Sequence, residues 1–267
     1  MAYTGVEHKL TGSNIRVNLG GNRIVRDINI QAGAGDIVGI IGPNGCGKST
    51  LLRALYAALP ADGTVCIDGQ EIHTLSRKRI AQYISVVEQQ DESPMPTTVR
   101  TLVALGLLPH GSFTRLTTEE DDQSVMDALD YVDCAHLADR FTSQLSGGEY
   151  QRVKIAKTIV QNTPYLFLDE PTNHLDLRYQ HQLLNLVKNL QKTTLIVLHD
   201  VNLAARYCDR IVLINDGRIV AEGSPWEVLT PEHLEPIYHM SITRIEREGL
   251  PYLFFDPQLT NQEMGKP

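Results

Sequence analysis

The chain has 267 residues, 42% of them hydrophobic and 21% charged, with 24 Lys+Arg against 32 Asp+Glu for a formal net charge of −8. That balance is ordinary for a folded chain; it excludes collagen-like, mucin-like and wholly disordered polymers, and its sign is wrong for a chain whose main partner is nucleic acid. At about 100–200 residues per domain, there is room for one large or two small domains.

Four cysteines, Cys46, Cys66, Cys134 and Cys208, stand far apart with no C-x-x-C pair, which reads as reduced thiols rather than a zinc site or a disulfide framework. Residues 1–10 carry Glu7 and Lys9 and no apolar run, so no secretory signal is expected. The longest uncharged apolar stretch, Leu102 to Leu108, is broken by Gly106 and closed by Pro109, far short of the roughly 20 residues a membrane helix needs.

In chain order, Ile37-Val38-Gly39-Ile40-Ile41 is a short β-branched run between glycines, predicted as a buried strand. Lys48 to Leu59 repeats leucine at helical spacing before Pro60, and Ile84 to Val87 is a second strand. Val99 to Leu108 and Glu119 to Val132 are helical patterns with no strand between them, the second opened by a capping box at Thr118 to Asp121. Strand-then-helix grammar returns at Tyr165 to Leu168 followed by Asp176 to Leu190, and at Thr194 to Leu198 followed by Val201 to Tyr207. Three such units predict an α/β fold on a mostly parallel sheet. Asp216-Gly217, between Arg210 to Asn215 and Arg218 to Glu222, is a hairpin signal.

Gly42-Pro43-Asn44-Gly45-Cys46-Gly47-Lys48-Ser49, followed by Thr50, fits the phosphate loop G-x-x-x-x-G-K-S/T. Glycines let backbone N–H groups face the phosphates, and the helix behind presents its positive end to the same anion. Lys48 then reaches the β- and γ-phosphates of ATP, and the Ser49 hydroxyl ligates Mg²⁺. Asp169 and Glu170 end the apolar run Tyr165 to Leu168, where ligands gather in a parallel sheet. Asp169 is placed to hold Mg²⁺, and Glu170 to act as general base on the attacking water.

Leu145-Ser146-Gly147-Gly148-Glu149, opening a helix that runs to about Asn162, strongly resembles the LSGGQ signature of the ATP-binding cassette (ABC) ATPases. Ser146 with the backbone of Gly147 and Gly148 is a second anion site at a helix start. The resemblance implies two cassettes packed head to tail, each ATP clasped between Lys48 of one and Ser146 of the other. It implies roles for further residues: Gln89 as the Q-loop glutamine that contacts Mg²⁺ and water, Asp176 as the D-loop residue reaching across the dimer, and His199 as the switch histidine on the γ-phosphate. It also implies the phosphate-loop ABC ATPase fold, a mostly parallel sheet core with an antiparallel β portion and a helical insertion. Residues 1–240 would be the nucleotide-binding domain, with a helical subdomain at about 97–162. Residues 241–267 would be a short extension with strands at Ile242 to Glu246 and Tyr252 to Phe255 and a frayed end.

Three positions depart from the family pattern. Leu19 stands where an aromatic ring usually stacks on adenine, leaving apolar contact alone unless Tyr3 or another aromatic substitutes. Glu149 replaces the signature glutamine, expected to be mild because Ser146 and the glycines carry the phosphate contacts. Glu88 precedes Gln89 where many relatives have proline, which predicts a less rigid Q-loop.

Within the family the chain is similar to importers of ferric siderophores, haem and cobalamin, through Leu107-Leu108-Pro109-His110, Thr172 to Leu177 and Leu198 to Asp209. That likeness implies ATP hydrolysis at the cytoplasmic face of the cell membrane by a peripheral homodimer. Separate permease subunits and an external substrate-binding protein would be its partners, with no nucleic acid. The competing readings are a permease-free soluble ABC ATPase, an ABC motor for another substrate, and a small-molecule kinase. The single phosphate loop and the lack of a heptad-repeat insertion oppose translation and DNA-repair versions of the first, and the kinase leaves Leu145 to Glu149 unexplained.

Overall fold

The structure, a computed structural model, describes residues 9–88, 97–111 and 118–257. The N-terminal strands β1 (Leu10–Leu19) and β2 (Asn22–Ala32) pair antiparallel, and β3 (Ile37–Ile41) leads through the phosphate loop into α1 (Lys48–Leu55). Then come β4 (Asp62–Ile67), β5 (Gln70–Glu71), α2 (Arg77–Tyr83) and β6 (Ile84–Val87). Helices α3 (Val99–Ala104), α4 (Glu119–Tyr131) and α5 (Gly147–Gln161) follow. Next are β7 (Tyr165–Asp169), α6 (Leu177–Asn189), β8 (Thr193–Val197), α7 (Val201–Tyr207), β9 (Arg210–Asn215) and β10 (Arg218–Gly223). The described chain ends with α8 (Pro225–Val228), α9 (Pro231–Tyr238), β11 (Met240–Arg247) and β12 (Leu250–Pro257).

The central sheet runs β10-β9-β3-β8-β7-β6, parallel throughout except at the β9–β10 hairpin. Its middle strands are buried at every position because both faces are covered. Alternation sorts the side chains: Val38, Ile40, Tyr165, Phe167, Leu195 and Val197 pack with α1 and the antiparallel sheet. Ile37, Ile41, Leu166, Leu168 and Ile196 pack into the second core, with residues of α3, α4 and α5. Asp216 and Gly217 both take positive φ, 46° and 72°, which a two-residue hairpin turn of this kind requires.

The second sheet, β2-β1-β4-β5, is antiparallel. Bulges at Asn14 and Asp27, both at positive φ, break its register. Leu51, Leu52 and Leu55 of α1 are fully buried beneath it, each contributing about 1.5–3 kcal/mol. α1 ends at Leu55 rather than Leu59, because Ala57 adopts φ 57° and the N–H groups of Ala58 and Leu59 turn back to the Arg53 carbonyl. β11 and β12 make their own two-stranded sheet, longer than the two strands expected there. Asn202 of α7 clamps the hairpin, donating to the Leu253 carbonyl at 3.0 Å and accepting from the Leu253 N–H at 2.8 Å.

Candidate active site

The phosphate loop is held open by close backbone contacts. Gly42 sits at φ 146°, and a Cβ there would lie 2.0 Å from the Ile214 carbonyl oxygen, so no other residue fits. Gly217 N–H donates to the Cys46 carbonyl at 3.0 Å, which anchors the loop to the β9–β10 turn. Cys46 is buried, and that burial raises its thiol pKa, so it is packing rather than a nucleophile. Lys48 is 4% exposed, and its Nζ donates to the carbonyls of Gly42 and Pro43, both at 2.9 Å. The ammonium is therefore fixed at the loop's mouth before any anion arrives. Gly47 at the start of α1 provides no side-chain cap, so the first N–H groups of that helix remain available to an anion.

β7 delivers the carboxylates to the same place. Ser49 Oγ donates to Asp169 Oδ1 at 2.6 Å. Asp169 is 1% exposed, its Oδ2 has no hydrogen-bond partner, and the Arg53 guanidinium stands 3.6 Å away. Burial pushes the Asp169 carboxyl above its ordinary range, opposed by Ser49 and Arg53. An orphaned buried carboxylate oxygen beside a hydroxyl suits a hard cation with oxygen ligands.

Glu170 follows at φ 51°, a left-handed turn that aims its side chain back into the cleft. Both of its oxygens are taken: His199 Nε2, just beyond β8, lies 2.6 Å from Oε1, and Asn173 Nδ2 donates to Oε2 at 2.6 Å. Asn44, Gly45, Gly47, Lys48, Ser49, Thr50, Glu170 and His199 line one cleft of about 450 Å³, with Ile24, Asn173 and His174 completing its wall. Leu19 is 39% exposed and Ile24 supplies an apolar wall. Tyr3 and Gln89 lie outside the described residues.

Ser146, Gly147, Gly148 and Asp176 are not among the described residues lining that cleft. Ser146 caps α5 through a reciprocal box with Glu149, and Gly147 has open space where a Cβ would be. Asp176 starts α6 without a side-chain cap, and its neighbour Leu177 is 73% exposed. A single chain thus gathers the loop, both carboxylates and His199, and leaves the signature and Asp176 outside the lining of that cleft.

Two residues went unnoticed in the sequence. Asn173 holds Glu170, and its only signal is its place three residues on in a tight turn. Gln151, buried on α5, donates to the Pro171 carbonyl at 2.7 Å and so ties the signature helix to the residue after Glu170. Glu88 is the last described residue before the expected Q-loop, which itself lies outside the described residues. The Tyr56 hydroxyl donates to its carboxylate at 2.7 Å and Lys154 Nζ to its carbonyl at 3.3 Å, so this residue is tethered from both α1 and α5.

The family profile described as ABC transporter matches residues 25–173. The petrobactin import ATP-binding protein YclP of Bacillus subtilis (strain 168) is 40% identical, over 86% of this chain and 92% of its own length. The ferric enterobactin transport ATP-binding protein FepC of Escherichia coli (strain K12) is 38% identical, over 86% of this chain and 87% of its own. The dimeric post-hydrolysis structure of the ATP-binding cassette MJ0796, bound to ADP and Pi, superposes with a TM-score of 0.70 at 28% identity, covering 81% of this chain and 98% of that one. The chain belongs to the ABC transporter family and is a nucleotide-binding ATPase of that family.

Proposed function

We propose that the chain is the motor subunit of an importer for an iron-siderophore, haem or cobalamin-type chelate. The observation that carries import over a permease-free role is the match to an import and a transport ATP-binding protein across about nine-tenths of their own lengths, 92% and 87%. No helix among the described residues is long and apolar enough to cross a membrane. On the likeness to import ATP-binding proteins, passage of the chelate is assigned to separate permease subunits, which this chain would meet at the cytoplasmic face of the cell membrane, an external binding protein delivering the cargo.

ATP would bind with its phosphates in the Gly42 to Ser49 loop, Lys48 against the β- and γ-phosphates and Thr50 beside them. Ser49 and Asp169, with Gln89, would hold Mg²⁺; when bound, it neutralises phosphate charge. Glu170 takes a proton from the water that attacks the γ-phosphorus, and the ADP oxygen leaves. In the resting chain both Glu170 oxygens are engaged, so the base is released only when His199 turns from Oε1 to the γ-phosphate. Ser146, Gly147, Gly148 and Asp176 do not line that cleft, and a second copy packed head to tail would bring its own signature to it. Closing and reopening of this sandwich would then drive the permease between outward and inward states.

The test is a pull-down with tagged Glu170→Gln and MgATP from gently solubilised native membranes. A stoichiometric polytopic membrane protein supports the importer reading and points to its cargo. A clean soluble complex without one would move the chain to the permease-free class.

A further inference from the structure

The signature helix is capped by a carboxylate, and that carboxylate occupies the signature serine. Ser146 N–H and Ser146 Oγ both donate to Glu149 Oε2 at 2.8 Å, while Glu149 N–H approaches Ser146 Oγ at 3.4 Å. Hydrogen bonds to an ionised acceptor are the stronger kind. They hold the Glu149 carboxyl below the usual carboxylate range, with Arg152 and Arg140 as the cations facing it. The replacement of glutamine thus puts a negative charge on the cap of the signature serine. The hydroxyl proton that the two-cassette reading assigns to the partner's ATP is already committed, and the carboxylate offsets two arginines at a helix start that otherwise attracts anions.

We propose that Glu149 is a positioning residue that restrains dimer closure: its carboxylate holds Ser146 in the free subunit, opposes the incoming γ-phosphate by charge, and so raises the ATP concentration at which two copies close. This rests on the head-to-tail reading above. The steric route is open: a Cβ at Gly147 would meet nothing within 4 Å, and Gly148 is backed by the Tyr179 ring. Competition for the Ser146 proton and charge are the barriers left. A glutamine at 149 keeps an acceptor oxygen for the Ser146 N–H and hydroxyl but carries no charge, so the isosteric change removes the charge and turns the charge-assisted hold on Ser146 into a neutral one while leaving a cap in place.

The experiment titrates MgATP against particle mass by light scattering in the Glu170→Gln background, with and without Glu149→Gln. Glu119→Gln, in the first turn of α4, serves as the control for loss of one charge. The double variant is expected to close at about two- to fivefold lower ATP, the scale of one charge at a helix start, and to lose slightly in Tm, because the ionised carboxylate also stabilises the helix start it caps. That gap should shrink as salt is raised from low to physiological strength, which lost capping alone would not produce. An unchanged or higher ATP midpoint for Glu149→Gln overturns the proposal; a higher one means the carboxylate assists closure. If Glu170→Gln itself never dimerises with ATP, the two-cassette reading fails first and this proposal with it.

Discussion

The molecule contains two glycine-bearing helix starts built in opposite ways. At the phosphate loop, the cradle is finished within one chain: Gly42 is wedged against Ile214, Lys48 is pinned on two carbonyls, and Ser49 is bonded to a buried Asp169. At the signature, Ser146 is exposed, its hydroxyl is spent on Glu149, and Gly147 faces open space. The first is preorganised by packing, and the second is occupied by its own cap. On the two-cassette reading the first can bind ATP alone, whereas the second acts only once a partner's phosphate competes with that cap.

The most severe way to break the comparison is to add one methyl group at each site. Gly42→Ala forces its Cβ onto the Ile214 carbonyl and is expected to abolish ATP binding by calorimetry, whereas Gly147→Ala should bind ATP normally and fail only in ATP-driven dimerisation. Equal damage from both would erase the distinction.

Next in size, Glu170→Gln removes the proposed base while leaving the cleft's shape, and turnover should fall by about 10²–10⁴-fold in a phosphate-release assay with ATP binding retained. Wild-type turnover would remove Glu170 from that role. Lys48→Ala should weaken ATP binding to the single chain by about 10–100-fold, the loss of charge-assisted bonds to phosphate. Ser146→Ala should leave that single-chain affinity unchanged and impair closure.

The smallest expected effect concerns stability. Because burial raises the Asp169 pKa in the fold above its unfolded value, the folded state binds the proton more tightly. The ionised carboxylate therefore costs the nucleotide-free chain stability at neutral pH, and that cost fades as pH falls through the folded pKa. Asp169→Asn should raise the nucleotide-free Tm by about 1–4 °C at pH 7 and lose the further rise that MgATP gives the wild type. A lower nucleotide-free Tm would show that Ser49 and Arg53 already compensate the burial.

Where the chain obeys a single period, its fold was legible in the sequence. Residues 37–41, 165–168 and 194–198 are continuous apolar runs because both sheet faces are buried, and the leucines of α1 mark its buried side. β1 and β2 carried no such signal: the bulges at Asn14 and Asp27 put consecutive residues on the exposed or half-exposed side and break the alternation that identifies a strand. The loop from Gly42 to Ser49 was legible because its chemistry is local. The Glu170–Asn173 bond depends on a left-handed turn, and the Gln151–Pro171 bond joins residues on separate elements. Glu149 shows the intermediate case: its three-residue spacing from Ser146 was visible as a motif, but that the carboxylate takes both serine donors emerged only from the geometry.

The account's central claim is that one chain holds the phosphate cradle of one composite site and the signature half of another, and complementation tests it most directly. Lys48→Ala and Ser146→Ala chains, each inactive alone, would be mixed and assayed for ATP hydrolysis. Head-to-tail pairing predicts that the mixture regains activity, because the mixed dimer unites an intact Lys48 with an intact Ser146 at one of its two sites. A mixture no more active than its components would contradict the composite site.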